Sequence, residues 1–131
     1  MFETHAPGVF VVRYGWTHDM EAERQAPLLD ALRATGRTGR TGIVFEVGPR
    51  VHWVDVSVPT FWLRATSDAS LRLRAMAIVT ESSAVGIAAA GFAAACAIRG
   101  AGLEVKSFRS TAPALAWVSE LVAAARAAIP A

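Results

Sequence analysis

Residues 74–108 read "RAMAIVTESSAVGIAAAGFAAACAIRGAGLEVKSF", and their reading decides the fold class. "RAMAIVT" (74–80) is apolar almost throughout, as a strand buried on both faces is. Ser82 or Ser83 then caps an alanine-rich helix, which ends near Gly100 and Gly102. "LEVKSF" (103–108) alternates Leu103, Val105 and Ser107 against polar neighbours, the period of a strand. Strand, helix and strand in this order imply two parallel strands joined by a crossover helix.

The same alternation extends outward. "GVFVVRYG" (8–15) is β-branched and aromatic between two glycines and predicts a strand. "THDMEAERQAPLLDALRATG" (17–36) has the composition of a helix, with Thr17 as its cap, acidic residues in its first turns and Gly36 at its close. Ala22, Ala26, Leu29, Leu32 and Arg33 are expected to share its inner face. Pro27 either kinks this helix or stands in its first turn. "GRTGRTG" (36–42) lacks the lysine and spacing of a phosphate-binding Walker loop and reads as a connector. "IVFEVG" (43–48) is a further strand, and "VHWV" (51–54) returns briefly to extended structure. Val58, Phe61, Trp62, Ala65 and Ala69 follow helical spacing. A last helix starts at Thr111 with Pro113 in its first turn, and Leu115, Val118, Leu121 (or Val122) and Ala125 form its buried stripe. The order β-α-β-α-β-α-β-α predicts an α/β domain with a mostly parallel sheet of four to five strands and about four helices, one antiparallel edge being allowed. A chain of 131 residues suits a single domain, 1–131.

Composition excludes several function classes. The net charge is +2, and the cations are dispersed (Arg13, Arg24, Arg33, Arg50, Arg64, Arg99 and Arg126 fall in different segments), so no nucleic-acid partner is expected. The stretch 82–98 carries no charge, yet it is short for a bilayer span and rich in alanine and glycine, so it reads as a buried helix and no transmembrane segment is expected. Gly86, Ala90, Ala93 and Ala97 would form a smooth face that permits close approach, packed on the sheet or, as the alternative, turned to a membrane or a dimer partner. The single cysteine, Cys96, reads as a small buried thiol. With no basic-then-apolar leader, the expected location is cytoplasmic.

Catalytic signals are sparse. His5, His18 and His52 do not fall at metal-ligating spacing, so no metal is expected. Ser82 and Ser83 sit at a helix start without a triad, and Glu46 and Asp55 lack a motif that would pair them as acid and base. The chain is therefore read as not an enzyme, with no catalytic residue and no cofactor. Attention falls instead on "HWVDVSVPTF" (52–61). Asp55 and Ser57 interrupt an apolar stretch just before Pro59. A serine there can accept hydrogen bonds from first-turn amides as a cap, and a phosphate on it would suit the helix dipole. Trp53, Phe61 and Trp62 crowd the same junction, as an interface or an apolar-ligand surface would.

The element order and this junction resemble a STAS-type domain, the class named for sulfate transporters and anti-sigma factor antagonists. In that family a strand ending near an aspartate leads to Asp-Ser-Ser-Gly at the start of the second helix, and the second serine is phosphorylated in regulatory members. Glu46 takes the strand position, Asp55 matches the aspartate and Ser57 the second serine. Val56 and Val58 replace the first serine and the glycine. "RAMAIVTESSAVGIAA" and "VKSFRSTAPALAWV" further resemble the STAS-like, SEC14-like small bacterial proteins, some of whose relatives bind lipids. The resemblance implies a non-enzymatic regulatory or protein-interaction domain, a homodimer with a regulatory protein partner, with Ser57 and Asp55 as phosphoacceptor or cap. The alternative is a small carrier or sensor of an apolar, lipid-like ligand held near Trp53, Phe61 and Trp62.

Overall fold

A computed structural model of the chain describes residues 2–14, 21–52, 54–100 and 102–127. Among them are the strands β1 (Phe2–Ala6), β2 (Val9–Tyr14), β3 (Thr41–Val47), β4 (Leu73–Val79) and β5 (Glu104–Phe108). The helices are α1 (Glu21–Gly36), α2 (Ser57–Ala65), α3 (Ser83–Arg99) and α4 (Thr111–Ala127), with a short 3-10 turn at Ala69–Leu71. The strands form one sheet in the order β1-β2-β3-β4-β5. β2 to β5 pair in parallel, and β1 pairs antiparallel with β2. The protein is thus α/β, as the sequence predicts, with β1 as an additional edge strand.

Each strand divides its side chains between two cores, because successive residues point to opposite faces. Phe10, Val12, Tyr14, Ile43, Phe45 and Met76 meet Leu28 and Leu32 of α1, Val58 and Trp62 of α2, and Phe92 and Cys96 of α3. Val9, Val11, Val44, Ala75, Ala77 and Val79 meet only α4, through Ala114, Val118 and Val122. Three helices therefore cover one face and one helix the other. Full burial of a Leu or Val side chain contributes roughly 1.5–3 kcal/mol, so both cores matter to stability.

At the entry to β4 the pairing is irregular. Thr41 pairs with Leu73 and Gly42 with Ala75, leaving Arg74 as an extra residue. The bulge shifts the alternation, which is why Leu73 belongs to the three-helix core while Ala75 belongs to the α4 core. Arg72, just before it, adopts left-handed backbone with φ 53°.

Several local expectations are corrected. α1 runs through Pro27, which stands inside the helix rather than in its first turn. Its inner face is Gln25, Leu28 and Leu32, while Ala26 and Arg33 are exposed and Leu29 is half-buried. Arg33 turns outward because its guanidinium pairs with Asp30 and Asp68. Thr17 and the side chain of Ala22 lie outside the described residues. Val51, His52 and Val54 are irregular rather than extended strand, and Ala69 belongs to the 3-10 turn instead of α2. In α4 the buried stripe is Ala114, Val118 and Val122, with Leu115, Leu121 and Ala125 half-buried beside it.

At Gly42 α4 packs closely on the sheet. A Cβ built there would lie 2.5 Å from Val118 Cγ1 and 2.8 Å from Val122 Cγ2. Both valines are fully buried and cannot swing aside. We expect Gly42→Ala to lower unfolding free energy by about 1–3 kcal/mol in urea denaturation, the usual cost of overpacking. An unchanged midpoint would contradict this packing.

Candidate functional site

The junction leading into α2 brings Asp55 and Ser57 together, with Asp55 rather than Ser57 meeting the helix start. The Ser57 amide donates to Asp55 Oδ2 at 2.9 Å, and the Val58 amide donates to the Asp55 carbonyl at 3.0 Å. Val56 occupies the N-cap position with no side-chain cap bond. The Asp55 carboxylate therefore satisfies a first-turn amide, while Ser57 opens the helix as an exposed residue. Thr60 completes the turn by donating its hydroxyl to the Val56 carbonyl at 2.7 Å. The expectation that the Ser57 hydroxyl accepts from these amides is replaced by this Asp55 contact. An aspartate two residues ahead of the amide makes the tighter turn.

Glu46 is engaged elsewhere. Thr111 Oγ1 donates to Glu46 Oε2 at 2.7 Å, and Arg13 Nε lies 3.6 Å from Glu46 Oε1. Glu46 thus turns to the α4 side, whereas Asp55 holds α2 on the opposite side, so they do not form an acid–base pair. Thr111, at the start of α4, uses its hydroxyl as a donor to this carboxylate.

The aromatic residues separate. Trp62 is buried in the three-helix core, edge-on to Phe45 with ring centroids 5.0 Å apart and to Phe61 at 5.2 Å. Phe61 is half-buried. Trp53 lies outside the described residues. Trp62 is therefore a core residue, not surface available to a protein partner. It does line an apolar cavity of about 80 Å³ with Tyr14, Phe45, Val58, Met76 and Phe92. The Trp62 Nε1 hydrogen is buried without an acceptor among the described residues. Sites for drug-sized ligands run to roughly 300–1,000 Å³, so an acyl chain does not fit this cavity as it stands.

α3 carries an exposed apolar side. Its cap is as expected: Ser82 Oγ accepts from the Val85 amide, and Gly100 closes the helix in left-handed backbone. Its inner face is Val85, Ala89, Phe92 and Cys96. The proposed small-residue face is corrected, since Ala90 and Ala97 are exposed and a Cβ on Gly86 would meet nothing within 4 Å. Both small and large side chains face away from the core. Ile87 and Ile98 are 74% and 87% exposed, with exposed Ala90, Gly91, Ala94 and Ala97 between them. The helix is buried along one side only. No helix among the described residues is long and apolar enough to cross a membrane. A group of three or more metal-ligating side chains is likewise absent among the described residues.

Comparison with protein-family models, with curated proteins and with solved structures finds no match to this chain.

Two measurements check the local chemistry. Asp55→Ala should lower stability by about 1 kcal/mol through loss of its contact with the helix start, and Ser57→Ala should stay within about 0.5 kcal/mol. The reverse order in urea denaturation would return the capping role to Ser57. Burial pushes the Cys96 thiol up, against smaller opposing effects of Arg99 and Thr66. A thiol reagent should therefore label Cys96 slowly at neutral pH and rapidly once denaturant is added.

Proposed function

We propose that this chain is a non-enzymatic protein-interaction domain of the STAS-like type, associating as a homodimer through the outer side of α3. The observation that carries this reading is the exposed strip on α3. Apart from Ser83 and Arg99, every residue of the helix is apolar or glycine. A helix apolar all round is ordinarily enclosed on all sides. Ile87 and Ile98 are eleven residues apart, about three turns, so they share one side of the helix some 16 Å in length.

The spacing supports a second copy as the cover. Ile87 and Ile98 lie symmetrically about the midpoint between Phe92 and Ala93, and Gly91 and Ala94 do the same. In an antiparallel pairing across a twofold axis, Ile87 of each copy meets Ile98 of the other. Gly91 meets Ala94 at the centre, where the lack of side-chain bulk permits close approach. The element order and the placement of Asp55 and Ser57 at the start of α2 support the STAS-like part of the reading. A regulatory phosphate on exposed Ser57 would be favoured by the helix N-terminus and opposed by the Asp55 carboxylate, so it would displace the Asp55 contact.

A second reading, a carrier of a small apolar molecule, is favoured by the cavity beneath Trp62 and its unpartnered Nε1 hydrogen.

Light scattering distinguishes the two. The unaltered protein should have the mass of a dimer. Ile87→Glu and Ile98→Glu should each give a monomer with unchanged circular dichroism, since both positions are exposed in the single chain. A monomeric parent, or variants of unchanged mass, would remove the α3 interface. Added mass on the purified protein in native mass spectrometry would favour the carrier.

A further inference from the structure

At the end of the sheet remote from Asp55 and Ser57, the chain enters β3, β4 and β5 beside a cleft of about 500 Å³. Arg40, Arg72 and Arg99 line it, together with Thr66, Ser67 and Asp68. Leu73, Leu103 and buried Cys96 supply an apolar part. The volume lies within the range of small-molecule sites, and its lining is more polar than that of a typical apolar ligand pocket.

The charges of the cleft are unequal. Asp68 is its one lining carboxylate, and that group is taken up by Arg33 Nε at 3.2 Å and by the amide and hydroxyl of Ser70. Arg74, close by, is neutralised by Glu104 at 2.8 Å. Arg72 pairs with no carboxylate among the described residues. Arg40 donates to the Arg72 carbonyl at 3.0 Å and to the Leu73 carbonyl at 2.6 Å, which leaves three of its five N–H groups for other acceptors. Burial, then the nearby charges of Arg74 and Arg72, hold the Arg40 guanidinium below the usual arginine range. Positive charge is therefore concentrated here without a matching anion.

The end of α2 beside the cleft is partly offset. Arg99 donates to the Leu63 carbonyl near the C-terminus of α2 and to the hydroxyls of Thr66 and Ser67. It thereby covers carbonyl oxygens that would otherwise repel an anion. Arginine forks match carboxylate and phosphate alike, but a dianion relieves the repulsion between two guanidiniums where a monoanion relieves less.

We propose that this cleft binds a small organic phosphate, its phosphoryl oxygens on Arg40 and Arg72 and its apolar body against Leu73 and Leu103. The site is separate from the α3 surface and from the junction at α2. Open parallel sheets ordinarily take ligands at the carboxyl ends of their strands. This cleft lies at the amino ends.

Isothermal titration calorimetry on the full chain, with phenyl phosphate, benzoate and inorganic phosphate as probes, tests the assignment. Phenyl phosphate should bind at least about tenfold more tightly than either comparison anion, one lacking the second charge and the other the apolar body. Arg72→Asn should weaken phenyl phosphate by about tenfold, the loss of one charge-assisted contact. Asparagine tolerates the left-handed backbone at this position, so the variant should keep the parent's circular dichroism. Arg50→Asn, which removes an exposed charge at the opposite end of β3, should leave binding unchanged. Absence of phenyl phosphate binding, equal affinity for inorganic phosphate or benzoate, undiminished binding by Arg72→Asn, or an equal loss in Arg50→Asn would each overturn the proposal.

Discussion

Sequential parallel pairing from β2 to β5 constrains everything else in this domain. Crossovers between parallel strands turn right-handed, so three successive steps in one direction place α1, α2 and α3 on the same face. Helices are about 10 Å across and neighbouring strands about 4.8 Å apart. Three helices over four parallel strands are therefore crowded laterally, and the outermost must lean past the sheet. α3 connects to the edge strand β5, with no further helix beyond it among the described residues. The opposite face receives α4 alone, and a single helix covers it only by approaching closely. Gly42 makes that approach sterically possible.

How much of this can be read from residues depends on where the constraint acts. The β-α alternation is local, since caps, glycines and apolar runs mark each element, and it is recovered closely. β1 is missed because "FETHA" has no apolar alternation to announce it. It exists through pairing with β2 rather than through its own burial. The inner face of α1 is displaced by one position because it is set by the packing of Leu28 and Leu32 in the three-helix core, which local spacing does not show. In α3, composition cannot separate the faces, as nearly every residue is apolar. Only packing on the sheet and α2 selects Val85, Ala89, Phe92 and Cys96 over Ile87 and Ile98.

The candidate sites follow the same rule. Asp55 and Ser57 are adjacent in sequence, so their association is legible, though which one satisfies the helix start is set by backbone geometry. The aromatic pair is legible as a cluster, but only the packed structure assigns Trp62 to the core and Phe61 to its margin. Arg40, Arg72 and Arg99 are dispersed along the chain, and dispersion had counted against any concentrated positive charge. Parallel topology gathers them, because chain segments entering neighbouring strands lie side by side. The bulge at Arg74 and the left-handed Arg72 shape that gathering point and have no signature in composition.

The two edges of the sheet have a consequence of their own. β1 exposes Glu3 and His5, and β5 exposes Glu104 and Lys106. An open edge offers unpaired backbone groups to any neighbouring strand, and charged side chains along it discourage such docking. Both borders are guarded in this way, and each is only five residues long. Indefinite strand-by-strand growth into fibrils is thus disfavoured from either side. Contact between molecules is steered towards helical surfaces, where an assembly can close on itself at a fixed size.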